Sequence, residues 1–468
     1  MCVTSEIEGT VSLKGASKRE ALARELGAAH GGGNQYLPGQ RRGVTHVSRL
    51  QCVQSAVEQQ IEAVFRENPH KHIGLITFSD DVTLIGDGAQ EPVVVSGDKL
   101  RSFDQLQEIG NSFLLSRPVG QAKDALLRKL WDLEESGATA LGPALQLAIA
   151  VAGARPGSSV FLCTDGLANV GLGSLEDSER ECALFYTELA EQAKLRGVTV
   201  TVISLIGTEC ALESLSIVCE QTAGSVQRVD PVQLTGNLVA FADRPVVAYG
   251  VMAMVLLHHG LQFRGEMDDE GENRNWVVKD LGNVTRGKEL TFSYAFRPKD
   301  QCDLSGIEQI PFQVQVLFTR PNGMRCLRVA TARVAVTDDR AQAEQHADIG
   351  VIGTHAAQRA AKFAKAGDYE KAQLETRAAQ RFIMRNADVD RVSLFSNHVE
   401  QIDQVLRAER QREKHEDSSV PPSTFATTTT TAAAPSSSIT EVASKKKRTK
   451  RSDAAATAIS SALTHKFD

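Results

Sequence analysis

Two short segments carry the residue types best suited to chemistry. One is Ser136-Gly137-Ala138-Thr139-Ala140-Leu141-Gly142-Pro143-Ala144-Leu145, and the other is Phe161-Leu162-Cys163-Thr164-Asp165-Gly166-Leu167-Ala168-Asn169. Thr139 precedes a helical pattern, and Asp165 follows an apolar run that reads as a buried strand. In an open parallel sheet, ligand sites gather beyond the carboxyl ends of the strands, so the two side chains can converge there. A hydroxyl and a carboxylate are hard oxygen ligands, which suits Mg²⁺ or Ca²⁺ rather than zinc. Local roles stay open beside that one: Thr139 as the N-cap of the following helix and Asp165 as a turn carboxylate before Gly166.

The elements that must position these residues run from about Val44 to Asp230. Leu50, Val53, Val57, Ile61, Val64 and Phe65 recur at steps of three and four, which predicts a helix with one apolar stripe. Short apolar runs follow at Ile73 to Phe78 and Val82 to Ile85, separated by the Ser79-Asp80-Asp81 turn. Helices are expected through Leu126 to Leu133, Gly142 to Ala152, Leu184 to Ala193 and Leu212 to Cys219, with strands at Ser159 to Cys163, Val198 to Ile203 and near Val226. Strands apolar throughout and separated by helices signal a doubly wound α/β domain around a parallel sheet.

The pattern then changes. Between residues 245 and 337, Phe312, Val314, Val316 and Phe318 alternate with polar partners. Pro321-Asn322-Gly323 offers hairpin residues, and Leu327, Val329 and Val334 continue beyond it, which predicts an antiparallel β-sandwich. Residues 339–413 read as a small helical bundle broken at Gly367-Asp368. There Gly-Asp-Tyr-Glu-Lys-Ala is similar to a tetratricopeptide turn, but no repeat period follows. Residues 414–468 are rich in Ser, Thr, Ala and Pro and read as a disordered tail. The tail contains the basic cluster Lys445 to Arg451, which fits a nuclear-import receptor, an anionic lipid surface or simple solvation.

The segments around Thr139 and Asp165 resemble the second and third parts of the metal-ion-dependent adhesion site of von Willebrand factor type A (VWA) domains. The resemblance covers residues 1–240. It implies a VWA-like fold and a Mg²⁺ held by Thr139 and Asp165, with the acidic side chain of a protein partner completing the coordination. The family's first part, Asp-x-Ser-x-Ser, is missing, and Met1 resembles the residue just after it. The first strand of the sheet, and with it part of the ligand set, is therefore expected to be absent. The order of an α/β domain, a β-sandwich and a helical region is similar to the COPII coat subunits that select vesicle cargo, although their zinc finger has no counterpart. It is similar too to the VWA part of circularly permuted Ras proteins.

Composition narrows the function classes. The chain has 468 residues, with 52 Lys plus Arg against 58 Asp plus Glu and a net charge of −6, so its folded part offers no electrostatic footprint for nucleic acid. The 8 cysteines stand singly, without zinc spacing, and read as reduced thiols of an intracellular, cytoplasmic protein, with nuclear entry through Lys445 to Arg451 left open. No apolar run is long enough for a transmembrane segment, and the sequon at Asn283 is expected to stay unglycosylated. His30-Gly31-Gly32-Gly33 lacks an accompanying nucleophile elbow, no phosphate-binding loop occurs, and His258-His259 lacks partner ligands. The expectation is a protein–protein interaction module rather than an enzyme. The alternative is the regulatory half of a larger enzyme, such as a Ras-like GTPase, whose catalytic part lies upstream.

Overall fold

The computed structural model describes residues 4–8, 44–134, 137–175, 178–207, 209–230, 234, 246–266, 274–298, 300–302, 304, 306–386, 400, 402–412 and 451–464. The glycine run at 30–33 and the basic residues 445–450 lie outside them.

Strands β1 (Thr4–Glu8) and β2 (Val44–Ser48) form an antiparallel pair, Thr4 opposite Ser48 and Glu8 opposite Val44. Helix α1 (Arg49–Glu67) starts directly from β2. Ser48 Oγ accepts the Gln51 N–H at 3.1 Å and Gln51 Oε1 accepts the Ser48 N–H at 2.9 Å, so each residue satisfies an amide that the first helical turn leaves unpaired.

Next come β3 (Leu75–Phe78), β4 (Val82–Gly86) and β5 (Val93–Val95), an antiparallel sheet. Helices α2 (Phe103–Ser112), α3 (Val119–Trp131) and α4 (Leu141–Ala152) lead to β6 (Ser159–Thr164). Helix α5 (Glu179–Leu195), β7 (Thr199–Leu205), α6 (Leu212–Gln221) and β8 (Val226–Val229) complete the domain. The stripe of α1, Val57, Ile61, Val64 and Phe65, packs on Val119, Ala122 and Leu126 of α3. β6, β7 and β8 are parallel neighbours, and β7 is buried along its whole length because helices cover both of its faces.

The α/β class is as expected, with the sheet divided in two. Among the described residues no strand joins β3 to β6, and α4 lies across both. β1 does not fill that place. Its Glu6 and Glu8 are charges that a strand covered on both faces would have to desolvate, and it pairs with β2 instead.

Strands β9 (Val246–Leu257), β10 (Leu261–Phe263), β11 (Trp276–Thr285), β12 (Tyr294–Phe296), β13 (Gln309–Thr319) and β14 (Arg325–Ala335) build the next region. A sheet in the order β11-β9-β13-β14 carries the smaller β10–β12 pair on one face, enclosing Val255, Leu257, Leu261, Phe263, Val277 and Ile310. The sandwich is therefore unequal, and the small sheet leaves β14 uncovered. In the 320–324 turn only Gly323 takes a left-handed φ, of 82°. This region is docked on the α/β domain. Asn283 is fully buried and its amide donates to Val198 O at 2.8 Å, while Lys194 pairs with Asp280 at 2.7 Å. A side chain so enclosed is closed to glycosylation once folded.

Helices α7 (Arg340–Gln345), α8 (Ile349–Lys365) and α9 (Tyr369–Asn386) follow, then the helix at 402–412, here α10. The break comes at Gly367, whose φ of 84° ends α8, while Asp368 Oδ1 accepts the Lys371 N–H at 3.1 Å to start α9. The expected disordered tail needs correction at its end. Asp453–Thr464 forms helix α11, which packs on α6, β8 and α8. It carries Ala455, Ala456, Ile459 and Ala462, enough small apolar surface to dock.

Candidate functional site

The loop entering α4 and the loop leaving β6 meet at the carboxyl end of the parallel sheet. Thr139 N–H donates to Asn169 Oδ1 at 2.7 Å, and Asn169 N–H returns to Thr139 O at 3.1 Å. Ala138 N–H donates to Asp80 Oδ1 at 3.1 Å and Ala140 N–H to Ser79 O at 2.8 Å, so the β3–β4 turn fixes the same loop from its other side. Gly137 is required there: its φ is 49°, and a Cβ would fall 1.8 Å from Asp80 Oδ2.

The loop that carries Thr139 meets the turn that carries Asp165 and Gly166. The Thr139 hydroxyl lies 3.3 Å from where a Cβ on Gly166 would stand, so the turn after Asp165 passes close to it. Thr164, buried at the end of β6, orients the turn: its hydroxyl donates to Gly166 O at 3.1 Å and accepts the Gly166 N–H at 3.3 Å. No side-chain cap begins α4, so Thr139 is a loop tie and not its N-cap.

Sequence reasoning missed Arg49. This first residue of α1 is 5% exposed, and its Nη1 lies 3.5 Å from Asp165 Oδ2, while Nη2 donates to Ile206 O at 3.1 Å just past β7. Its Nε and Nη1 make no hydrogen bond. The signal for its placement was local: Ser48 and Gln51 frame a capping box, which puts Arg49 at the first position of a helix aimed at this edge. Asp80 and Asn169 were visible only as a turn residue and as part of a quoted segment.

Among the described residues, Thr139 and Asp165 do not by themselves make a resident Mg²⁺ site. Among the described residues no group of three or more His, Cys, Asp or Glu could hold a metal ion. Thr139 and Asp165 supply two oxygens where Mg²⁺ seeks six ligands, and a guanidinium already lies against the Asp165 carboxylate. The thiols nearby are not poised as nucleophiles. Burial pushes Cys163 up to about 12, and burial with the charge of Asp230 pushes Cys52 up to about 11. His258 and His259 stack with ring centroids 3.9 Å apart, and His258 Nδ1 accepts the Gly260 N–H at 3.2 Å, a turn role.

No family model matches the chain. It is 33% identical over 359 residues to circularly permutated Ras protein 1 of Dictyostelium discoideum, which covers 76% of this chain and 42% of that protein. The chain thus spans less than half the length of this curated relative. The human COPII-coat protein Sec24c has a similar fold at a TM-score of 0.51 and 13% identity, over 76% of this chain and 53% of that one. A von Willebrand factor type A structure from Catenulispora acidiphila aligns at a TM-score of 0.44 and 14% identity, over 74% of this chain and 77% of that one. Described residues include no helix long and apolar enough to cross a membrane. The chain is therefore similar in sequence to a circularly permuted Ras protein and in fold to a COPII coat subunit, the two resemblances that its element order carries.

Proposed function

We propose that the chain is a VWA-type protein-interaction module acting inside the cell, which recognises an acidic side chain of a partner protein at the edge formed by the Asp80, Thr139 and Asp165 loops. The observation that carries this is the convergence of three loops at the carboxyl end of β6, tied to one another through Asp80 and Asn169 rather than left to move independently. Such a rigid rim is what directional recognition needs, because little ordering entropy remains to be lost on binding. Any Mg²⁺ on Thr139 and Asp165 has first to displace Arg49, so recognition rests here on the loops and the guanidinium. Arg49 supplies a fixed positive charge that favours a carboxylate.

The test is a peptide-display selection on the full chain, followed by binding of the selected peptides to Thr139→Ala and Asp165→Ala variants with and without EDTA. Enrichment of Asp and Glu is expected, with weaker binding to Thr139→Ala and stronger binding to Asp165→Ala, which frees Arg49 from its paired carboxylate. Selected peptides without acidic bias, or bound equally by all three proteins, overturn the reading.

A second reading is favoured by the Dictyostelium relative, whose name includes Ras. The chain would then be the regulatory part of a longer polypeptide with a GTPase. In such a polypeptide, Thr139→Ala and Asp165→Ala should change GTP hydrolysis. Unchanged hydrolysis in both variants removes this reading and leaves the first standing.

A further inference from the structure

Helix α6 begins without a cap of its own. Ala211 sits at its N-terminus with a left-handed φ of 52° and no side-chain oxygen to offer. The cap comes from the far end of the sequence: Asp453, 1% exposed, accepts the Leu212 N–H at 2.7 Å and also the Cys210 N–H. The residues before it are gripped in turn. Arg451 pairs with Glu213 at 2.7 Å, with its side chain 5% exposed, and donates to Lys365 O. Ser452 N–H donates to Glu409 Oε1 at 3.1 Å and Ser452 Oγ to Glu409 Oε2 at 2.8 Å, while Asp453 N–H donates to Glu209 Oε2 at 3.0 Å. Three carboxylates, two from the segment that opens α6 and one from α10, thus hold three consecutive residues.

Ser452 is the position at which this grip can be reversed. Its Oγ is both a donor to the buried Glu409 and an acceptor of the Ala455 N–H at 3.3 Å, the N-cap of α11. The residues on its N-terminal side are Lys-Lys-Lys-Arg-Thr-Lys-Arg, a run whose charge suits the acidic substrate groove of a kinase that selects basic residues. We propose that Ser452 is a phosphorylation site that undocks helix α11 from the α/β domain. In the step, Ser452 Oγ attacks the γ-phosphorus of a nucleoside triphosphate bound to the kinase. The new Oγ–P bond replaces the bond to the departing nucleoside diphosphate, and the hydroxyl proton leaves to the kinase's base.

The phosphoryl group adds close to two negative charges where Glu409 now accepts a hydrogen bond, beside Asp453, Glu209 and Glu213. The same group suits the N-terminus of α11, so the repulsion acts on the docking and not on the helix start, and once undocked a 12-residue helix is marginal in water and opens to exchange. Arg451 favours release as well, because a phosphate on the adjacent residue competes with Glu213 for its guanidinium. Arg412, 2.6 Å from Glu409 Oε1, is a cation that could hold the phosphate in place if the carboxylate were absent. That makes Glu409 the residue that sets the sign of the response.

Hydrogen exchange on the full chain tests this, using a basic-directed Ser/Thr kinase with ATP in a Thr449→Ala background so that only Ser452 is at issue in the run. After phosphorylation, amides at 453–464 should exchange at least about tenfold faster, while those of β7 are unchanged. Ser452→Glu should act in the same direction, Ser452→Ala should block the kinase effect, and Glu409→Gln should restore protection in the phosphorylated chain. Asp453→Asn, which loosens the docked state, should speed phosphorylation. Unchanged protection at 453–464 in both phosphorylated and Ser452→Glu proteins, or no incorporation at Ser452 even in Asp453→Asn, overturns the proposal.

Discussion

The two halves of the α/β sheet differ in how their strands are covered. β7, with β6 on one side and β8 on the other, is buried at every residue. β3, which has β4 as its only strand neighbour among the described residues, is half-buried along its whole length. The two runs have similar apolar composition, Thr-Val-Thr-Val-Ile-Ser-Leu against Leu-Ile-Thr-Phe. The difference is positional: a strand reaches full burial when both edges are paired and both faces are covered. Arg49 sits where the two conditions part, reaching from α1 to the ends of β6 and β7.

The sharpest way to break this comparison is to remove equal volume from each half. Ile203→Ala in β7 should cost about 2–5 kcal/mol, because its cavity cannot fill with water. Ile76→Ala in β3 should cost under about 2 kcal/mol. Thermal midpoints of the two variants measure this, and equal shifts would contradict the contrast. Arg49→Met should cost about 3 kcal/mol by removing the guanidinium from Asp165 and from Ile206 O, and Arg49→Lys should recover part of it. A loss within error would mean that the pair at 3.5 Å contributes little between the half-sheets.

Asp87 follows β4 and gives a smaller, pH-dependent effect. Burial raises its carboxyl, but N–H groups of Arg117 and Ala89 and the Ser116 hydroxyl outweigh that and hold it below its ordinary value of 3.8. A depressed folded-state value contributes stability above the unfolded value, lost as pH falls from 3.8 through the depressed one. Asp87→Asn should therefore flatten the acid limb of the stability curve while costing no more than about 1 kcal/mol at neutral pH. An acid limb identical to the parent's would show that these bonds do not act on the carboxylate. Smallest of all, Val94→Thr on the exposed face of β5 should change stability by less than about 0.5 kcal/mol. A larger loss would reveal cover over β5.

What the sequence disclosed follows from the range of the interactions involved. Periodicity located α1, whose partners lie on one face, and an unbroken apolar run located β7, which is buried all around. The meeting of the Thr139 loop with the turn after β6 was legible because strand ends and the following loops obey a topological rule. Arg49 was not, since a charged residue at the start of a helix is ordinary and its partners are distant in the chain. Leu327, Val329 and Val334 show the opposite error. Alternation predicted burial, but at the edge of an unequal sandwich they are 63%, 51% and 49% exposed. Composition marked residues 414–468 as a disordered tail and so missed α11, because that helix buries its surface against α6, β8 and α8, partners that composition does not show.

The cap on α6 has a consequence for biosynthesis. Asp453 lies 241 residues beyond the Leu212 amide it satisfies. At roughly 5–20 residues per second, the ribosome takes about 12–50 s to deliver it after Leu212 has been joined. Throughout that interval the nascent domain holds β7 and α6 with the helix start open to solvent, so its last cooperative unit closes only when the distal segment emerges. A ribosome stalled between the two positions should present an α/β domain whose α6 is more sensitive to protease than in the released chain.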